Sequence, residues 1–200
     1  FEADQQELAT HGIYFGILMV MLFQNLFVYL ALRERSNLYY VAYVASLLGF
    51  VAALRGFGFQ YLWPDSPWWH DKSIPVLIPL IVASGTQFSS EFLGLSVRSH
   101  KLWRLTSIIG IVSLVLAALA LFLPYEISIK LAIGAVVPGC TTILCAGAIM
   151  WYRGDKPARY FTIAWSCLLV GSIVLAANKL GLIPRNSITE NSLQIGSIIE

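Results

Sequence analysis

Long apolar runs alternate with short polar turns along the whole chain. The clearest run is 12–32, GIYFGILMVMLFQNLFVYLAL, 21 residues without a charge. At about 1.5 Å of rise per residue, a helix of this length reaches roughly 30 Å, the thickness of a bilayer's hydrocarbon core. A soluble helix needs a polar face, and the strongly polar side chains here are Gln24 and Asn25 alone. The same pattern recurs, predicting spans at about 11–33, 38–62, 73–95, 105–123, 127–152 and 160–180. A seventh helix begins within 192–200, a stretch too short to cross lipid. The fold class expected is therefore an all-α membrane protein, a seven-helix transmembrane bundle with the seventh helix truncated. Pro75 suits the first turn of its span, whereas Pro79 and the Pro138-Gly139 pair sit where they should bend a helix. With Gly171 they are the candidate hinges.

Composition agrees with this pattern. The chain is 58% hydrophobic and 12% charged, with a mean hydropathy of +0.72, against about 25% charged residues in soluble domains. A net charge of +2 and the lack of a dense basic patch exclude a nucleic-acid partner. Cys140, Cys145 and Cys167 all lie in apolar runs and read as small packing residues rather than a disulfide framework. Residues 1–10, FEADQQELAT, lack a signal peptide's basic start and are expected to be an outer tail from an upstream periplasmic domain. The simplest account is a segment of a longer protein.

Charge fixes the expected orientation. Eight basic residues fall on one side: Arg33, Arg35, Arg98, Lys101, Arg104, Arg153, Lys156 and Arg159. Five fall on the other: Arg55, Lys72, Lys130, Lys179 and Arg185. The richer side is expected in the cytoplasm, which leaves the N-terminus outside a bacterial inner membrane. Trp63, Trp68, Trp69, Trp103, Trp151, Tyr125 and Tyr152 fall at the predicted interfaces, as an aromatic belt requires.

Little chemistry follows. His11, His70 and His100 lie in three different flanks, and no HExxH, GxSxG or Walker pattern is present. Neither an enzyme nor a metal or cofactor site is expected. Gln24, Asn25, Ser84, Gln87 and Glu91 form a candidate polar core, the last three sharing one helical face. They read first as interhelical glue, and otherwise as a core that binds a ligand or changes state. Arg55, Asp71, Lys130, Lys179 and Glu190 form a candidate outer rim that would dock an upstream domain or an anionic ligand, or be simply solvated. The alternative function is a small-molecule or ion transporter, which a water-filled cavity reaching Gln24, Asn25 and Gln87 would favour.

Several stretches carry a family resemblance. They are His11-Gly12-Ile13-Tyr14-Phe15-Gly16 with Gln24-Asn25-Leu26-Phe27, then Ser36-Asn37-Leu38-Tyr39-Tyr40, Gly58-Phe59-Gln60-Tyr61-Leu62-Trp63-Pro64 and Glu91-Phe92-Leu93-Gly94-Leu95. Lys156-Pro157-Ala158-Arg159-Tyr160-Phe161 and Thr189-Glu190-Asn191-Ser192-Leu193-Gln194-Ile195-Gly196-Ser197 complete the set. In this order the chain resembles the seven-transmembrane module of bacterial receptors with diverse intracellular signalling modules (7TMR-DISM). The position of Glu91 departs from the family pattern, where a basic or small residue is commoner. The resemblance implies a periplasmic sensor domain before Phe1 and a cytoplasmic output domain, such as a histidine kinase or cyclic-dinucleotide enzyme, after the seventh helix. It implies the lipid bilayer and those two domains as partners. A homodimer is a further expectation, because such output domains commonly work as dimers, although no small-xxx-small spacing demands it.

Overall fold

The computed structural model describes residues 2–62, 64–179, 184, 186, 189 and 192–199, with side chains over 12–61, 64–174, 184, 186, 189, 192–194, 196 and 197. Among them every regular element is helical. The order is α1 (Glu2–Leu32), α2 (Arg35–Leu54), a π-helical turn (Gly58–Leu62), α3 (Pro67–Phe92), the short α4 (Leu95–Arg98), α5 (His100–Ala120), α6 (Tyr125–Tyr152), α7 (Lys156–Lys179) and α8 (Ser192–Ile199). Six of these helices are long and apolar enough to cross a membrane. α3 is the most enclosed of the six and α1 the least.

Helix ends differ from the apolar spans for physical reasons. α1, α3, α5 and α7 begin several residues before their apolar runs, because hydropathy marks lipid while the backbone ladder continues into polar flanks. The stretch expected as one span over 38–62 is divided. α2 stops at Leu54, Gly56 turns left-handed at φ +80°, and the chain resumes as the π-helical turn. Glycine alone takes that φ without a Cβ penalty. Pro75, Pro79 and Pro138 lie inside helices that run unbroken through them. At the end of α6, the Gly154 N–H donates to the Trp151 carbonyl at 2.9 Å and the Asp155 N–H to Met150 at 3.2 Å, with Gly154 at φ +87°. This is a Schellman cap. The Arg159 guanidinium lies 6.0 Å over the Trp151 ring across the same turn.

The chain divides into two units, 20–143 and 1–19 with 144–200. In the first, α3 packs against both α2 and α5. The α5 side of that contact is a row of buried Thr106, Gly110, Ser113, Ala117 and Ala120, spaced by threes and fours. On α3, Thr86 and Gln87 lie against Gly110 of that row, and the same stretch of α3 is buried through Val82, Ala83, Ser84, Gly85, Thr86 and Ser89. Lipid supplies no hydrophobic drive between helices, so small residues that let backbones close up take its place. Thr86 and Ser89 satisfy their hydroxyls locally, Thr86 Oγ1 donating to the Val82 and Ala83 carbonyls at 2.9 Å and Ser89 Oγ to Gly85 at 2.7 Å, whereas the buried Ser113 Oγ of α5 has no hydrogen-bond partner among the described residues. Val82 also faces Gly139 of α6, where an added Cβ would come 2.5 Å from Val82 Cγ1. At one end, the Lys72 ammonium donates to the Leu123 carbonyl just beyond α5.

In the second unit, α7 packs against α8, and Gly147 of α6 sits over Thr162 and Phe161 of α7. Tyr14, Leu18, Met150, Ala158, Phe161, Trp165 and Leu168 form its apolar interior. Small residues four apart serve contacts within the chain: Cys167 and Gly171 on α7 meet Ser192 and Gly196 on α8.

Candidate functional site

The sequence-predicted polar residues lie on α1 and α3. Gln24 is exposed on α1 and Asn25 half-buried, its Nδ2 donating to the Met21 carbonyl at 2.9 Å. Ser84 is buried and donates to the Leu80 carbonyl at 2.6 Å. Gln87 is half-buried with its amide against Gly110, and Glu91 is exposed in the last turn of α3. Two of these hydrogen bonds stay within the residue's own helix, as expected where lipid offers no competing partner. Of the rim, Arg55 caps the end of α2 and is half-buried, while Asp71 and Lys130 are exposed. Lys179 ends α7, its side chain lying outside the described residues, as does the whole of Glu190. Among the hinges, Pro79 is buried, Pro138 exposed and Gly139 buried against Val82.

A different constellation is assembled in the second unit. Gly171 is buried, and the backbone of Ser192 lies directly against it. Four residues on, an added Cβ at Gly196 would come 2.9 Å from the Cys167 carbonyl and 3.0 Å from Leu168 Cα. Two helices meet backbone to backbone at both points because neither glycine carries a side chain. The Ser192 hydroxyl lies 2.9 Å from both the Gly171 carbonyl of α7 and the Thr189 carbonyl, so its one proton is shared between a contact across the helices and a local one. Tyr14 Oη and Ser197 Oγ are 3.0 Å apart and buried. Ser197 Oγ also donates to the Gln194 carbonyl at 3.0 Å. A hydroxyl has one proton, so Tyr14 is the donor to Ser197, and the bonds run in one direction from α1 into α8. Ser192, Gln194 and Ser197 are each less than a tenth exposed.

Sequence reasoning passed over Tyr14, Ser192 and Ser197 as site residues. The available signal was the paired spacing, Cys167 with Gly171 and Ser192 with Gly196, which marks two small-residue ridges able to lie together. Among the described residues, no group of three or more His, Cys, Asp or Glu is placed to hold a metal ion.

Six membrane-length apolar helices define a multi-pass, all-α membrane protein. The family model described as 7TM diverse intracellular signalling matches residues 7–200. The chain belongs to this family, a class of membrane signalling modules. Comparison with curated proteins and with solved structures gives no match.

Proposed function

We propose that the chain is the transmembrane relay of a bacterial sensor receptor, carrying a periplasmic signal to a cytoplasmic output domain. The match over residues 7–200 to a signalling family carries this reading. The bundle is non-catalytic, lies in the inner membrane with its N-terminus outside, and its seventh helix begins with α8. Signal outside favours one of two helix arrangements, and the change is read inside through the seventh helix. Pro79, the Pro138-Gly139 pair and Gly171 are the proposed hinges. The buried docking of α8 onto α7 supports the relay, because it couples the last helix mechanically to the rest of its unit.

Single cysteines at Arg98, Lys156 and Asp65 test the orientation in sealed vesicles. Arg98→Cys and Lys156→Cys should react with an impermeant maleimide only from the cytoplasmic face, and Asp65→Cys only from the other. Labelling of Arg98→Cys and Lys156→Cys from opposite faces would refute the topology on which the relay depends.

A further inference from the structure

We propose that the hydrogen bond from Tyr14 to Ser197 is a releasable latch: closed, it ties α8 to α1 and so holds it in place on α7, and the signal passes when it opens. This rests on the reading of α8 as the start of the relaying helix. The chain of bonds is directional. Tyr14 donates to Ser197 and Ser197 to the Gln194 carbonyl; five residues back, the Ser192 hydroxyl reaches both the Gly171 carbonyl of α7 and the Thr189 carbonyl. Donor and acceptor in the first link stand 183 residues apart, so the latch joins the first helix of the chain to the last.

Two features suit this contact to switching rather than to permanent clamping. First, the α7–α8 seam is shallow: at Gly171 and Gly196 it is backbone on backbone, with no large side chain interlocked at either point. Such a surface can slide without expelling a knob from a hole. Second, the residues of α8 that face inward include three polar ones, Ser192, Gln194 and Ser197. A polar contact between membrane helices biases an equilibrium by roughly 3- to 20-fold. That is strong enough to populate one arrangement and weak enough for a bound ligand to overturn, since inverting a hundredfold population ratio takes about 10⁴-fold differential affinity.

The test is hydrogen–deuterium exchange of the α8 amides in the chain reconstituted in lipid nanodiscs. Tyr14→Phe keeps the buried ring and removes only the hydroxyl, and Ser197→Ala removes the acceptor. Each should raise α8 exchange by roughly 3- to 20-fold, and the double variant should exchange no faster than the faster single one. Ser166→Ala, which deletes a hydroxyl bonded to its own helix at Thr162, should leave α8 unchanged. Unaltered α8 exchange in both single variants, or fully additive effects, would overturn the latch. A separate arm labels Asn186→Cys in sealed vesicles, where the relay reading expects reaction from the outer face. Labelling only from the cytoplasmic face would remove the relay reading and with it the signalling role of the latch, whatever the exchange data show.

Discussion

Gly171→Ala is the sharpest probe of how this bundle is held together. The added methyl meets the Ser192 carbonyl, with Ser192 C at 3.0 Å and Leu193 Cα at 3.4 Å. All three are backbone atoms, so no rotamer change relieves the overlap, and α8 must back away from α7. Overpacking of this kind costs about 1–3 kcal/mol. Withdrawal also stretches the Ser192–Gly171 hydrogen bond, worth about 0.6–1.7 kcal/mol in a membrane. Against this stands the better helix propensity of alanine, a gain of up to about 1 kcal/mol. The net is a loss of about 1–5 kcal/mol. Gly134→Ala supplies the reference, because a Cβ at Gly134 has nothing within 4 Å. It should keep the propensity gain and stabilise by up to about 1 kcal/mol. Reversible unfolding in mixed micelles with increasing SDS, followed by far-ultraviolet circular dichroism, measures both. The two substitutions add the same methyl group and should shift the midpoint in opposite directions. If Gly171→Ala is as stable as Gly134→Ala, the close approach of α7 and α8 is refuted.

The other stability predictions follow the same physics. Gly139→Ala should destabilise the 20–143 unit by about 1–2 kcal/mol, since the new methyl would lie 2.5 Å from Val82 Cγ1. Val82→Ala in the same chain should recover most of that loss, and a double-variant cycle by the same unfolding assay decides it. Lys72→Met keeps the apolar stem but removes the ammonium that caps the Leu123 carbonyl. It should lower stability by about 1 kcal/mol and speed amide exchange over 121–128, and wild-type exchange there would count against the cap.

The apolar runs by themselves determined that this chain crosses lipid, and roughly where. A charge-free 21-residue stretch has few other stable environments, because an unpaired backbone in hydrocarbon must form its bonds within the helix. Pairing of helices was not legible in the same way. Lipid-facing and helix-facing surfaces are both apolar in this composition, so periodicity does not separate them; in α5, exposed Ile108, Ile111 and Val115 alternate with buried Gly110, Ser113 and Ala117. The partners of polar residues were no more legible. Asn25 and Ser84 satisfy themselves on their own helices, whereas Tyr14 and Ser197, unremarkable in sequence, meet across 183 residues. Only the tertiary structure decided that Gly171 and Gly196 are points of backbone contact, because what a glycine makes room for depends on which helix arrives there. Depth in the membrane is a property of a segment's own residues, while helix pairing depends on two segments at once.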